Sequence, residues 1–141
     1  EGYQDDIWLG TDKGVHRMDA GNLTVERKGL FLDENVLCIY SNGYNVFAGT
    51  ESGKIVTFSY GQDSEVIRNG GTSVEWIFVD SHGLVWFTDK RMGVSRLNPE
   101  TGNEKFFVQN VKSPDYDSSG GKFMESNGVV WMDYIKKQIS F

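Results

Sequence analysis

The stretch IWLGTDKGVHRMD, residues 7–19, sets Trp8 among aliphatic residues, halts at Gly10-Thr11-Asp12, turns, and starts a new apolar run at Val15. Its Trp, His, Arg and Asp residues look reactive, so the first question is whether the stretch recurs. It does. VFAGTESGKIVTF (46–58), VWFTDKRMGVSRLN (85–98, one residue longer in the turn) and VWMDYIKKQISF (130–141, shorter) align with it. The anchor aromatics are Trp8, Phe47, Trp86 and Trp131, separated by 39, 39 and 45 residues. Upstream of the anchors, FVDSHGLVW (78–86) matches FMESNGVVW (123–131) position by position, and YSNGYNVF (40–47) keeps the apolar run with its glycine shifted by one.

Each full copy reads as four short strands. In the second copy they span about 35–41, 45–50, 54–60 and 64–68; in the third, about 74–80, 84–89, 93–97 and 104–108. Asn-Gly, Ser-Gly and Gly-Gln-Asp turns of hairpin type separate them. No sustained 3.6-residue period appears, so almost no helix is expected. A four-stranded antiparallel unit repeating every 40 residues or so predicts an all-β fold of β-propeller blades. The expected division of 1–141 is an incomplete blade at 1–28, blades at 34–69 and 74–109, and an incomplete blade at 121–141. Three to four blades make a small ring, which predicts a partial propeller whose open edges favour self-association.

Composition agrees and excludes several functions. The 141 residues are 38% hydrophobic and 13% aromatic, enough for one domain with a core, and 17 glycines against two prolines call for many tight turns. A net charge of -6 with dispersed Lys and Arg repels a phosphate backbone, which argues against nucleic acid. No apolar run reaches the length of a spanning helix, so no membrane contact is expected of this segment. The single cysteine, Cys38, lies in the apolar run VLCIY, where a buried thiol is expected.

The repeat resembles the two-component regulator propeller repeat: an apolar strand, Asp-x-x-Gly, Trp between aliphatics, Gly-Thr, a polar turn with Gly, then an aliphatic strand with Arg and Asp. DIWLGTDKGVHRMD (6–19) follows that pattern, and VDSHGLVWFTDKRMGVSRLNPETG (79–102) follows it with Thr88 after Phe87 where Gly-Thr would start. The resemblance implies the periplasmic sensor portion of a hybrid two-component sensor kinase. It implies a non-enzymatic segment without a cofactor and an oligosaccharide or other small polar ligand; kinase activity would reside elsewhere in a longer chain. LVWFTDKRMGVSRLNPETG (84–102) is also similar to the streptogramin lyase repeat, whose catalytic positions do not map onto this chain. A purely structural propeller module is the third reading.

Turns between the second and third strands of successive blades emerge on one side of a propeller, near the mouth of the central channel. They carry Asp12, Lys13, Glu51, Lys90, Arg91 and Tyr134, which vary between copies while the strands stay alike. These six are the expected ligand-binding residues, because variable loops on a rigid scaffold carry function. His16 and His82 have no nucleophile or second histidine at a useful spacing, and no catalytic or metal site is expected. Asp115, Asp117, Ser119 and Gly120 match the first half of a calcium loop, but Ser126 stands where a bidentate Glu belongs, so a plain polar loop is the expectation.

Overall fold

The computed structural model describes residues 6–25, 31–59, 62–89, 93–107, 122–134 and 137–140. Among them the chain forms fourteen strands and no helix, as the sequence predicts. The first sheet holds β1 (Asp6–Thr11), β2 (Gly14–Asp19) and β3 (Phe31–Leu32). The second holds β4 (Val36–Ser41), β5 (Asn45–Thr50), β6 (Lys54–Ser59) and β7 (Glu65–Asn69). The third holds β8 (Val74–Val79), β9 (Val85–Asp89), β10 (Val94–Leu97) and β11 (Glu104–Phe107), and the fourth β12 (Lys122–Ser126), β13 (Val129–Tyr134) and β14 (Lys137–Ser140). All pairings are antiparallel and follow chain order, the pattern of propeller blades.

Successive side chains of a strand point to opposite faces, and here the two faces belong to different cores. In β5, Val46 and Ala48 join Val15, Val56 and Phe58 against the first sheet, with Trp8 packed on them. Phe47, between them in sequence, joins Val74, Ile77, Val85 and Phe87 against the third sheet. In β9, Val85 and Phe87 face the second sheet while Trp86 meets Val94 and Val130 towards the fourth. Trp8, Phe47 and Trp86 thus each pack forward onto the next sheet, and burying one such ring stabilises by roughly 1.5–3 kcal/mol.

The Gly-Thr element has two separate causes. A Cβ on Gly10 would lie 2.7 Å from Val36 Cγ1, and one on Gly49 would lie 2.5 Å from Val74 Cγ1, so glycine is where the next sheet comes closest. The threonine closes the following turn: Thr11 Oγ1 donates to the Gly14 carbonyl (3.0 Å) and Thr50 Oγ1 accepts from Lys54 N (3.0 Å). The recurring arginine is also positional. Arg17 and Arg96 stand directly opposite Trp8 and Trp86 across the hairpin, with the Arg96 guanidinium 5.5 Å from the Trp86 ring. Opposite Phe47 the residue is Thr57.

Further out, the buried Arg68 of β7 donates Nε to Glu104 Oε2 of β11 (2.9 Å) and Nη1 to the Gly53 carbonyl, and lies 4.6 Å over the Phe87 ring. It ties the outer strand of the second sheet to that of the third. The first strands of these two sheets each carry a β-bulge at the same repeat position, Leu37 in β4 and Glu75 in β8.

The fourth hairpin departs from the third despite their matching sequences. In the third sheet Phe78 pairs with Trp86 and a five-residue turn follows Val79; in the fourth, Met124 pairs with Trp131 and pairing runs on to Ser126 and Val129. Asn127 (φ 53°) and Gly128 (φ 74°) form a two-residue turn that needs left-handed backbone at both positions. The tighter turn shifts the register by one residue, which puts Met124 directly across from Trp131 and Glu125 on the opposite face.

Three substitutions test this packing. Gly49→Ala is expected to lose about 1–3 kcal/mol by overpacking, part of it recovered when Val74→Ala is added, as urea titration will show. Ser95 Oγ is buried with no hydrogen-bond partner among the described residues. Ser95→Ala is therefore expected to raise the unfolding free energy by about 1 kcal/mol, and a loss of stability would contradict that assignment.

Candidate functional site

The turns predicted to bind ligand are mostly braced from within. Asp12 and Lys13 are exposed in the β1–β2 turn, where Lys13 N donates to Thr11 Oγ1 (3.1 Å). Glu51, in the β5–β6 turn, accepts from Asn35 Nδ2 at Oε2 (3.1 Å), and its own N donates to the Asn35 carbonyl (2.8 Å). Beside it, Glu34 takes an ion pair from Lys54 and a hydrogen bond from Ser52 Oγ (2.8 Å). Tyr134 ends β13, paired with Lys137. Lys90, Arg91 and the 115–120 stretch lie outside the described residues.

A cleft of about 640 Å³ opens at the other end of the sheets. The first-to-second-strand turns of the second and third sheets meet there, with the β10–β11 turn and Glu125 of β12. Asp80 organises its wall. Asp80 Oδ1 accepts from His82 N and Leu84 N (both 2.9 Å), and Oδ2 accepts from the indole Nε1 of Trp86 (2.7 Å). The Asp-x-x-Gly-x-x-Trp spacing therefore satisfies a buried indole and a turn with one carboxylate. In the second sheet, where Phe47 has no N–H to satisfy, Asn42 takes over the turn: its Oδ1 accepts from Tyr44 N (3.1 Å) and Asn45 N (2.8 Å).

Asn98 repeats the arrangement in the β10–β11 turn, with Oδ1 accepting from Glu100 N (2.9 Å) and Thr101 N (3.2 Å). Asn42 and Asn98 thus spend their oxygens on the backbone and keep their amide NH₂ groups without a partner among the described residues, at the cleft. Glu125 faces the third sheet because of the register shift, and its carboxylate accepts from Ser81 N and Ser81 Oγ (2.7 Å each). Aromatic surface comes from Tyr40, whose hydroxyl donates to the Val79 carbonyl (3.3 Å), set edge-on to Phe78 at 5.4 Å. Burial, and secondarily the Glu125 charge, push the Tyr40 hydroxyl above its ordinary range, so it stays a neutral donor.

Ser81 Oγ lies 3.5 Å from His82 Nδ1, at the limit of hydrogen bonding, and its proton is directed to Glu125 Oε1. The pair is not a nucleophile held by a base. On the inner side of the sheets, Cys38 Sγ donates to the Val74 carbonyl (3.5 Å) and burial pushes the thiol up to about 12, far from thiolate chemistry. Nothing in the sequence pattern pointed to the cleft as such. The Asn-Gly and Asn-Pro turn signals that line it were legible, but only as turns.

No family model and no curated protein matches the chain. Its structure is similar to the extracellular domain of the hybrid two-component system BT3049 from B. thetaiotaomicron, at a TM-score of 0.60 and 16% identity over 92% of this chain. It is also similar to YCF48 bound to D1 peptide, at a TM-score of 0.57 and 13% identity over 92% of this chain. The chain spans 18% of the first structure's length and 44% of the second's. Both likenesses establish the propeller-type fold that the repeat predicts.

The Glu34 contact carries a pH dependence. Its hydrogen bonds from Lys54 and Ser52 hold the carboxyl below its ordinary 4.5 in the folded chain. A lowered folded value adds stability that is present above the unfolded value and disappears as pH falls through the folded one. Glu34→Gln is expected to be less stable than the parent at neutral pH, with the gap closing below 4.5. Urea midpoints across that range check it, and a gap independent of pH would contradict it.

Proposed function

We propose that this chain is a ligand-recognition segment of an extracytoplasmic sensor propeller of the hybrid two-component kind, with carbohydrate as the ligand class. The observation that carries the reading is the cleft. Two amide NH₂ groups, on Asn42 and Asn98, flank the Tyr40–Phe78 aromatic pair, with Glu100 and Glu125 as acceptors beside them. Hydroxyl-rich ligands need such paired donors and acceptors around an apolar surface. The likeness to an extracellular sensor domain supports the compartment, periplasmic in a cell with two membranes. The lyase-like reading draws no support from the cleft, where the Ser81 proton is already committed to Glu125.

The turns bearing Asp12, Lys13, Glu51, Lys90, Arg91 and Tyr134 are the second location for a ligand, and one experiment separates the two. The protein is screened against an oligosaccharide panel by thermal shift, and hits are measured by calorimetry. Asn42→Asp and Asn98→Asp keep the turn-capping oxygen and remove the free donor. Each is expected to weaken binding by about tenfold, the equivalent of ~1.4 kcal/mol, while Lys90→Ala with Arg91→Ala leaves it unchanged. A panel without hits overturns carbohydrate recognition, and loss of binding only in the Lys90/Arg91 variant moves the site to the opposite turns.

A further inference from the structure

We infer that Asn42 is a site of spontaneous deamidation, where the fold brings the reacting groups together and an uncharged donor of the cleft becomes an anion. Three asparagines precede glycine in the sequence, Asn42, Asn69 and Asn127, and a glycine leaves the following backbone nitrogen least hindered. In the reaction that nitrogen attacks the side-chain Cγ, and the side-chain nitrogen leaves as ammonia with the proton the attacking nitrogen carried. Water then opens the five-membered imide at either carbonyl, giving aspartate or isoaspartate. Local sequence treats the three pairs alike, and the structure separates them.

Tyr44 N and Asn45 N both donate to Asn42 Oδ1 (3.1 and 2.8 Å), the paired-amide arrangement that stabilises charge developing on an attacked carbonyl oxygen. Gly43 N donates to Ser41 Oγ (3.3 Å), which sets an acceptor on the proton that has to leave. Asn42 is exposed in the β4–β5 turn, so water reaches the imide. Asn69, by contrast, is paired with Lys54 at the end of β7, and Gly70 N donates to the Gly53 carbonyl (3.2 Å). Asn127 has left-handed backbone, which directs the Gly128 nitrogen away from the Asn127 side chain. Asn98, the other amide of the cleft, has the same pair of backbone donors as Asn42 but precedes Pro99, whose nitrogen has no proton to give up and does not attack. The cleft therefore holds one amide that converts and one that does not.

Conversion removes the Asn42 NH₂ and adds a negative charge to a cleft that already holds Glu100 and Glu125, so ligand affinity falls as the protein ages. That effect on the ligand rests on the carbohydrate reading; the conversion itself does not. The protein is held at mildly alkaline pH, folded and in parallel in urea, and peptides covering Asn42, Asn69, Asn98 and Asn127 are followed by mass spectrometry for the gain of one dalton. In the folded protein Asn42 is expected to convert about tenfold faster than Asn69 or Asn127, with Asn98 intact. In urea the three Asn-Gly pairs are expected to converge. Calorimetry on the aged protein is expected to show oligosaccharide hits bound in proportion to the unconverted fraction. A lead by Asn69 or Asn127 in the folded protein overturns the proposal, as does an Asn42 lead that persists in urea or an Asn42 that stays intact. Conversion at Asn42 in a protein that binds no member of the panel, or binds it unchanged after ageing, supports the site and overturns the carbohydrate reading instead.

Discussion

Because β5 and β9 are covered on both sides, adjacent residues in one strand have to fit two different interiors. Val46 and Ala48 answer to the first sheet and Phe47 to the third; Val85 and Phe87 answer to the second sheet and Trp86 to the fourth. This double coverage explains why these strands are apolar throughout instead of alternating, and why the small residue recurs where it does. Gly49 lies where Val74 of the next sheet approaches within contact distance of its backbone, so a larger residue would push the second and third sheets apart. The Asp80–Trp86 bond belongs to the same constraint, because it meets inside the protein the N–H of the indole that fills the gap between the third and fourth sheets.

Much of this was legible in the sequence because it is local and repeated. The anchors recur at fixed spacing, the turn residues sit between apolar runs, and observed strand bounds such as Asn45–Thr50 and Lys54–Ser59 fall within a residue of those read from the pattern. What was not legible depends on small differences in backbone geometry. FMESNGVVW and FVDSHGLVW look interchangeable, yet two left-handed residues at Asn127 and Gly128 shift one hairpin by a residue and turn Glu125 onto Ser81. The bulges at Leu37 and Glu75 are equally silent in the sequence, because nothing in either residue demands one.

The cleft was hidden for a different reason. Its donors are amides that sequence reading assigns to turn capping, and capping uses only their oxygens. A residue can serve the backbone and face a ligand at once, so turn chemistry and site chemistry coincide in Asn42 and Asn98. The charged turn residues at the opposite end looked more distinctive because they vary between copies. Glu51, however, is already engaged with Asn35.

The paired bulges have a consequence for solubility. The innermost strands β4 and β8 each pair on one side only, which leaves a row of backbone donors and acceptors of the kind that recruits stray extended chain into amyloid-like stacking. A bulge at the same place in both strands breaks that row, so a straight segment cannot zip along either edge. The irregularity guards the inner edges while the flat sheet faces remain available for packing.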